Sequence, residues 1–573
     1  MKNYLKTAMK SLVAFILILA LTLPGITGCS KKEETAADTS PAQMEQAPGY
    51  GIVPEDNLTG YEGYEAEAAE EQLQNAADAG GSVTMDADNA TAKKEMEGNL
   101  PAELNPAEFN TEEYNALTEN NFKSVQDYPL STFSVDVDTA SYSNIRRMIY
   151  EDGRVVPDAV RIEEMINYFR YDYEKPSGNV PFSVNTELSD CPWNEEAKLL
   201  LIGLQAEDID FEERPRSNIV FLLDVSGSMT SEDKLPLMQK AFTLLTENLN
   251  EGDRISIVTY AGEERVVLEG ARGDETMKIV SAIEELSAGG STAGAAGIQK
   301  AYELADKYFI KGGNNRVILA TDGDLNVGLS SEGELTRLIG DKRKNGVYLS
   351  VLGFGTENIK DNKMEALADN GNGNYSYIDS MLEAKKVLVE EMGGTLFTVA
   401  KDVKLQVEFN PAMIKGYRLI GYENRMLNTE DFNDDTKDAG EIGAGHRVTA
   451  LYELIETGSG QEIPRSDLKY QSGGGVKESN EWLTVNIRYK EPDEDESKLI
   501  AKTVDKNDYM SEMPENLAFA SSVAAFGMIL RDSSYKGTAT YRMILDNLKK
   551  YDVSSDEYKD EFISLVKKME RNE

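Results

Sequence analysis

A carboxylate and two hydroxyl groups lie two residues apart from one another in the segment Asp224-Val225-Ser226-Gly227-Ser228. The segment directly follows an apolar run, Ile219 to Leu223, that predicts a buried β-strand. These oxygen-bearing side chains should therefore lie in the turn that leaves the end of a strand. Oxygen ligands suit a hard divalent cation such as Mg²⁺. Hydroxyl oxygens are weak ligands, so a metal site here needs further oxygens from elsewhere in the chain.

The elements that would position this segment alternate between strand and helix patterns from 216 to 394. Strands of this spacing separated by helices predict an α/β fold with a mainly parallel, doubly wound, Rossmann-like sheet. Ligands on such sheets bind beyond the carboxyl ends of the strands. The further predicted strands are Arg254–Tyr260, a short edge strand Glu264–Leu268, Arg316–Ala320 and Val347–Leu352, and the predicted helices are Leu235–Leu249, Thr276–Leu286, Ala293–Tyr308 and Glu332–Asn345.

Two further oxygen donors lie where this fold would bring them to the same edge. Thr292 precedes the predicted helix at Ala293, and Asp322 follows the predicted strand that ends at Ala320. The two strand ends and the loop should thus bring the side chains of Asp224, Asp322 and Thr292 to the same edge of the sheet. Asp324 and Asn326 follow Asp322 and could tune the field of the site, although shaping the loop is the favoured interpretation.

The set Asp224, Ser226, Ser228, Thr292 and Asp322 resembles the metal-ion-dependent adhesion site of von Willebrand factor type A (VWA) domains. The resemblance implies that both serines bind the metal directly, that the threonine binds directly or through water, and that the two aspartates act largely through water. It implies Mg²⁺, with Ca²⁺ or Mn²⁺ also possible, and one coordination position left for a carboxylate of a partner protein. The alternative is a cluster of helix-capping side chains without a metal.

The N-terminus has the features of a targeting segment. Lys2, Lys6 and Lys10 precede a short apolar stretch, Leu12 to Leu23, and small residues lead to Cys29. This order resembles the lipobox of bacterial lipoproteins, which implies a signal peptide at 1–28 and a lipid (palmitate) on Cys29. An ordinary secretory signal is the alternative. The lipobox interpretation predicts a lipid-anchored protein of the bacterial cell envelope, outside the cytoplasm.

Residues 29–124 are predicted to be an acidic, disordered tether, because the segment combines low hydrophobicity with a negative balance. Over the whole chain, 59 Lys and Arg against 101 Asp and Glu give a formal net charge of −42. Such a charge argues against binding to nucleic acid. Cys191 is the only other cysteine, and we expect it to be buried and unreactive, since its neighbours supply no positive charge.

Two segments flank the central domain. Residues 125–215 predict a small α+β domain, and residues 395–573 predict antiparallel strands with one solvated face followed by helices. Together with the lipobox and the tether, this order resembles a bacterial lipoprotein family with a central VWA domain and its own N- and C-terminal domains. Asp136 and Asp138 alternate with valines, which favours the solvated face of a strand over a pair of metal ligands.

The residues needed for catalysis are scarce. His446 is the only histidine, and no G-x-S-x-G or Walker A segment occurs. The acidic run Asp431 to Asp435 lacks the glycine of a calcium loop at its sixth position, which is Thr436. The sequence therefore predicts a polar loop there, a structural histidine, no evident small-molecule substrate and no enzyme activity.

These observations favour a membrane-anchored protein that binds an Asp or Glu of a protein partner through Mg²⁺ at the adhesion site. The alternative is an envelope assembly or chaperone factor that acts on a protein complex through the same site.

Overall fold

A computed structural model of the chain describes residues 112–573, apart from 179, 209–213, 291–293, 324–331, 357, 392–396, 438, 466–478 and 493. The described residues belong to the second of two compact units of the chain, Pro101–Glu573. The predicted signal peptide, Cys29 and most of the predicted tether lie outside the described residues, as does Thr292.

Strands predominate in the segment that precedes the central domain. Its elements are β1 (Lys123–Ser124), β2 (Leu130–Ser134), α1 (Ala140–Glu151), α2 (Ile162–Asn167), β3 (Phe182–Asp190) and β4 (Ala197–Ala206). Helix α2 ends within two turns.

The central domain alternates strands and helices as predicted. Its elements are β5 (Ser217–Asp224), α3 (Leu235–Thr246), β6 (Arg254–Tyr260), β7 (Glu264–Arg272), α4 (Thr276–Glu284), α5 (Gly294–Lys307), β8 (Asn314–Thr321), α6 (Glu332–Lys344), β9 (Val347–Phe354), α7 (Asp361–Asn370), β10 (Tyr375–Ile378) and α8 (Met381–Lys385), which continues as a π-helical turn, Lys386–Glu390. The sheet order is β10-β9-β8-β5-β6-β7. All neighbouring strands are parallel except β6 and β7. The predicted doubly wound, mainly parallel sheet is confirmed.

Strand β5 shows why this sheet needs helices on both faces. Ile219, Phe221 and Leu223 pack into the apolar core on one face, and Val220 and Leu222 pack into the core on the other. All five side chains are fully buried. Burying each such side chain contributes roughly 1.5–3 kcal/mol, so the apolar run fixes β5 in the middle of the sheet.

The described residues of the segment after the central domain form six strands and three α-helices. They are β11 (Thr398–Phe409), β12 (Ile414–Ile420), β13 (Gly440–Gly443), β14 (Arg447–Glu456), β15 (Glu481–Lys490), β16 (Lys498–Asp505), α9 (Glu515–Leu530), α10 (Tyr541–Leu548) and α11 (Glu557–Asn572). Among the described helices of the chain, none is long and apolar enough to cross a membrane.

The two flanking segments form common sheets, which differs from the prediction of separate domains at 125–215 and 395–573. One sheet has the order β1-β12-β14-β4-β3, and in the other β2 pairs with β11. Leu200 of β4 lies opposite Tyr452 of β14, and Phe133 of β2 lies opposite Leu405 of β11. These four side chains belong to one apolar core. Each flanking segment supplies strands to both sheets, so we describe the two segments together as the flanking shell. Strand β1 (Lys123–Ser124) belongs to the flanking shell. The shell therefore includes residues that precede 125, where the tether was predicted to end.

Asp138 is the clearest local departure from the sequence prediction. Strand β2 ends at Ser134, so the alternation through Asp136 and Asp138 does not continue a strand. Asp138 is buried, accepts a hydrogen bond from the backbone N–H of Tyr375 at 2.8 Å and pairs with Arg425 at 3.1 Å. The predicted solvated face is therefore wrong for Asp138, whose carboxylate joins the shell to the central domain.

Three other sequence predictions have a structural outcome. Cys191 is buried, as expected, and burial raises the pKa of its thiol. His446 is partly buried next to β14, and desolvation lowers the pKa of its imidazole, which favours the neutral form. Asp431 lies in a short 3₁₀ helix, Thr429–Asn433, rather than in a loop, and its carboxylate accepts a hydrogen bond from the backbone N–H of Asn428.

Glu163 lies in α2, and its carboxyl group is buried without a full set of hydrogen-bond partners. One of its oxygens has no hydrogen-bond partner among the described residues. Burial, assisted by the carboxylates of Glu423 and Glu164 and opposed by Arg161, raises the pKa of Glu163 to about 8. The folded state therefore retains a proton that the unfolded chain releases near 4.5, the ordinary pKa of a glutamate side chain.

We expect Glu163→Gln to reduce the loss of stability at alkaline pH. A raised pKa means that the wild type loses free energy of unfolding as pH rises from about 4.5 through about 8. For one proton the limiting slope is about 1.4 kcal/mol per pH unit. Urea unfolding of both proteins at pH 5, 7 and 9 should show the variant gaining relative to wild type as pH rises. The exposed Glu174→Gln serves as the control, and parallel stability curves for Glu163→Gln and wild type would contradict this account.

Candidate metal site

Asp224 is the last residue of β5, and its buried carboxylate organises the turn that follows. The side chain is inaccessible to solvent. Its Oδ1 accepts a hydrogen bond from the backbone N–H of Ser226 at 2.9 Å, and its Oδ2 accepts one from the hydroxyl of Thr321 at 3.3 Å. Because Thr321 ends β8, the second bond joins the carboxyl ends of the neighbouring strands β5 and β8.

The two serines bring their hydroxyl groups together above this carboxylate. Ser226 Oγ and Ser228 Oγ are 3.0 Å apart. Ser226 is buried, whereas Ser228 is exposed in a short 3₁₀ helix, Gly227–Thr230. The oxygen cluster therefore has its acidic part inside the domain and a hydroxyl at the surface.

Backbone hydrogen bonds fix the neighbouring loop against this turn. The N–H of Gly227 donates to the carbonyl of Gly290 at 3.0 Å, and the N–H of Gly289 donates to the carbonyl of Val225 at 2.8 Å. Gly290 has φ +89°, and a Cβ there would lie 3.3 Å from the nitrogen of Gly262, so glycine suits this position. The predicted ligand Thr292, two residues further along the chain, lies outside the described residues.

Asp322 leaves the end of β8, as predicted, and is also buried. Its Oδ2 lies 3.1 Å from the ammonium group of Lys234, whose side chain is 10% exposed. The next residue, Gly323, has φ +103°, and a Cβ there would lie 2.5 Å from the carbonyl oxygen of Asn358. Only glycine permits this sharp turn after Asp322.

The electrostatics of Asp224 bear on whether a cation fits. Burial, opposed by hydrogen bonds from Ser226 and assisted by the charge of the nearby Asp322, raises the pKa of Asp224 to about 6. Among the described residues no Lys, Arg or His forms an ion pair with Asp224. A buried carboxylate without a cationic partner, beside a pair of hydroxyls, fits a hard divalent cation.

The donor set is not an acidic cage. In the part of the chain that the structure describes, no group of three or more His, Cys, Asp and Glu side chains could hold a metal ion. The candidate site depends instead on two carboxylates together with neutral hydroxyl oxygens. Such a set leaves a bound divalent cation electrophilic, and this is the chemistry that the cation would supply.

Sequence reasoning missed Lys234 and Thr321. Lys234 could have been noticed as an isolated cation directly before the apolar start of α3, Leu235-Pro236-Leu237. Thr321 occupies the last position of β8, and its role depends on the pairing of β8 with β5, which no local pattern specifies.

Comparison with known proteins matches three family models to this chain. The model described as "von Willebrand factor type A domain" matches residues 218–390, and "Uncharacterized protein YfbK, C-terminal" matches 394–571. A third, described as "von Willebrand factor", matches 108–201. The chain is also 43% identical over 467 residues to "Uncharacterized protein YfbK" of Escherichia coli (strain K12), which covers 80% of both chains. The chain belongs to the YfbK family.

Within the YfbK family, this chain has a central VWA domain followed by the YfbK C-terminal domain. A shorter similarity, 30% identity over 188 residues, links it to "Uncharacterized protein sll0103" of Synechocystis sp. and covers 32% of this chain and 43% of the relative. A solved structure, "von Willebrand factor type A from Catenulispora acidiphila", is 14% identical with a TM-score of 0.39 and covers 70% of this chain and 91% of its own. The VWA match supports metal-dependent protein interaction in general.

We expect Lys234→Met to destabilise the protein in the presence of EDTA. The variant retains an apolar stem but removes the ammonium group next to the buried Asp322. Breaking a buried ion pair in this way costs about 3 kcal/mol, which urea unfolding would measure. Lys300→Met is a matched control, because the side chains of Lys300 and Glu303 are 40% and 65% exposed and their pairing should not matter. Equal unfolding curves for Lys234→Met and wild type would contradict the assigned pair.

Proposed function

We propose that this protein is an envelope lipoprotein that binds a protein partner through a divalent cation, Mg²⁺ in the first instance, at Asp224, Ser226, Ser228, Thr292 and Asp322. The observation that carries the proposal is the Asp224 carboxylate. It is fully buried, it is held next to two hydroxyls 3.0 Å apart, and it has no cationic partner among the described residues. A bound cation would supply that partner.

In this proposal Ser226 and Ser228 would bind the cation directly, and Thr292 would bind directly or through water. Asp224 and Asp322 would act largely through water. Asp224 also positions the turn, because it accepts the hydrogen bond from the N–H of Ser226. Mg²⁺ keeps several water ligands at sites of this kind, and a partner's carboxylate can replace one of them.

The exposure of Ser228 supports access by a protein partner. This hydroxyl lies at the surface while both aspartates lie beneath it. A bound ion would therefore lie close to solvent on its Ser228 side. An Asp or Glu on the surface of another protein could reach it without rearrangement of the domain core.

The proposal includes a lipid anchor at Cys29 after removal of residues 1–28. The acidic segment between Cys29 and the first described residues would then act as a solvated tether. Its composition supports this role, because low hydrophobicity with like charges favours an extended chain.

Asp224→Ala should weaken Mg²⁺ binding by the purified chain by about 10–100-fold, the range found when an outer-sphere carboxylate is lost. Isothermal titration calorimetry would measure the affinity. Mg²⁺ should also raise the unfolding midpoint of wild type but not of the variant. Asp274→Ala, at an exposed position in the same domain, should bind Mg²⁺ as wild type does. Unchanged Mg²⁺ affinity in Asp224→Ala would exclude this residue from the metal site.

The carboxylate of the partner can be tested by capture from an envelope extract. Wild type should retain a partner in Mg²⁺ and release it in EDTA, and Asp224→Ala should retain none. Treating the extract with carbodiimide and glycine amide, which blocks carboxylates, should abolish capture. Capture that persists after this treatment would show that another group of the partner is recognised.

Cys29→Ser should prevent labelling by a fatty-acid analogue in growing cells and should move the protein from the membrane to the soluble fraction. Cys191→Ser is the matched control, because Cys191 is buried and should not affect labelling. Undiminished labelling of Cys29→Ser would contradict the proposed anchor.

A further inference from the structure

The carboxyl end of β6 brings a tyrosine beside the candidate metal site. Tyr260, the last residue of β6, lies opposite Asp224 in the parallel pairing of β6 with β5. On the other side of β5, Leu223 lies opposite Ala320, so Thr321 follows at the end of β8. Neighbouring strands lie about 4.8 Å apart, and Tyr260 and Thr321 therefore flank Asp224 at this edge of the sheet.

Tyr260 and Asp224 direct their side chains to the same face of the sheet. Tyr260 packs into the apolar core that contains Leu222 of β5 and Ile298 of α5. Because side chains alternate along a strand, Asp224 shares the face of Leu222, two residues before it. The phenol ring and the carboxylate thus lie side by side under α5.

Close packing by α5 fixes the position of the tyrosine ring. Tyr260 is inaccessible to solvent. A Cβ at Gly297 of α5 would lie 2.9 Å from the Cβ of Tyr260 and 3.2 Å from the Cδ1 of Leu222, so a glycine there lets the helix backbone approach the sheet closely. The ring is therefore held between helix and sheet and cannot turn its hydroxyl out to solvent.

The hydroxyl of Tyr260 is buried at this place without a hydrogen-bond partner among the described residues. Burial raises the pKa of Tyr260 well above its ordinary value, assisted by the charge of Asp224 and opposed by Thr321, so both groups lie close to the hydroxyl. Neither contact has the geometry of a hydrogen bond in this structure. A buried polar group that stays unpaired is costly, so phenylalanine would suit this position better unless the hydroxyl has a use.

Asp224 can accept the missing hydrogen bond. A carboxylate has about four positions for hydrogen-bond donors, and the N–H of Ser226 and the hydroxyl of Thr321 use two of them. The contact with Thr321 is 3.3 Å long, whereas O–H···O hydrogen bonds are usually about 2.7–2.8 Å long. The carboxylate is thus held firmly on one oxygen only, and the phenol beside it is a further donor.

We propose that Tyr260 is a positioning residue of the metal site, and that its hydroxyl donates a hydrogen bond to the Asp224 carboxylate when a cation is bound. The inference rests on the proposed function, in which Asp224 would act on the cation largely through water. Hydrogen bonds to such an outer carboxylate fix its orientation and tune metal affinity. A phenol that donates to a charged carboxylate forms a stronger bond than it would with a neutral acceptor, and this bond would stabilise the cation-bound site.

Tyr260→Phe, which removes only the hydroxyl, tests the proposal in the purified full chain. Calorimetric titration at neutral pH should show Mg²⁺ affinity about tenfold weaker than in wild type, the lower end of the range for loss of an outer partner. The unfolding midpoint in EDTA should stay at the wild-type value or rise, because the variant removes an unpaired buried group. A residue with a structural role alone would instead lower the midpoint and leave the affinity unchanged.

Tyr302→Phe is the matched control. Tyr302 of α5 belongs to the same core, is 1% exposed, and its hydroxyl also lacks a hydrogen-bond partner among the described residues. Burial alone raises the pKa of Tyr302, without the contribution of Asp224 that is present at Tyr260. This variant should therefore bind Mg²⁺ as wild type does and should not lose stability in EDTA.

The acceptor is tested by combining the substitution with Asp224→Ala, which is itself expected to keep measurable Mg²⁺ binding. Because Tyr260 acts through Asp224 in this proposal, Tyr260→Phe should cause no further loss of Mg²⁺ affinity once the carboxylate is absent. Two independent contributions would instead add.

Three results would overturn the inference and leave the proposed function intact. The first is equal Mg²⁺ affinity of Tyr260→Phe and wild type. The second is a further loss of about tenfold when Tyr260→Phe is added to Asp224→Ala, and the third is the same loss of affinity in Tyr302→Phe. Absence of Mg²⁺ binding by wild type would overturn the proposed function and this inference with it.

Discussion

Buried arginines from the flanking shell hold the central domain in place, and the rest of the arrangement depends on them. Arg146 of α1 pairs with Asp379 and with Glu383 at 2.7 Å, and Arg161 pairs with Asp361 at 2.5 Å. Arg425, which follows β12, reaches Asp369 at 2.8 Å and Asp138 at 3.1 Å. A guanidinium without its carboxylate would be costly to bury at these positions, so a shifted domain would lose several charge-assisted bonds together. These pairs therefore specify one orientation of the central domain within the shell, which apolar packing alone specifies less sharply.

The junction between the shell and the central domain, around Arg161 and Arg425, contains more carboxylates than guanidinium groups. Six carboxylates surround Arg161 and Arg425, namely Asp136, Asp138, Glu164, Asp361, Glu365 and Asp369. Burial is the largest cause of the raised pKa values of Asp138, Glu164, Glu365 and Asp369. Because the pKa values of these acids are higher in the folded state than in the unfolded chain, the junction is stabilised by proton retention and weakened as pH rises. Acidic side chains of this chain thus lie in its buried contacts as well as on its surface.

The parts of the fold that follow local patterns could be predicted from the sequence, and the parts that depend on distant partners could not. The apolar run before Asp224 and the helical spacings after it placed the central sheet and most helix ends within a few residues, because burial on both faces leaves a continuous apolar signal. The strands of the shell were also recognisable, but alternation does not reveal which strand will pair with which. The pairing of β2 with β11 and of β4 with β14 joins strands that precede the central domain in the sequence to strands that follow it. The two predicted flanking domains therefore form one shell. At the site, Asp224, Ser226, Ser228 and Asp322 lie at the predicted edge, whereas Lys234 was missed because its partner is distant in sequence.

The buried carboxylate of Asp224 lacks the partner that buried arginines of the described residues have. Arg146, Arg161, Arg418 and Arg425 each face a carboxylate of the chain, so burial of charge is normally compensated here. Asp224, at the carboxyl edge of the sheet, is an exception, because no Lys, Arg or His of the described residues forms an ion pair with it. A chain that compensates buried charge so consistently would be more stable with an apolar residue at this position, unless a cation completes the pair. The divalent cation that we propose next to Ser226 and Ser228 would supply that partner.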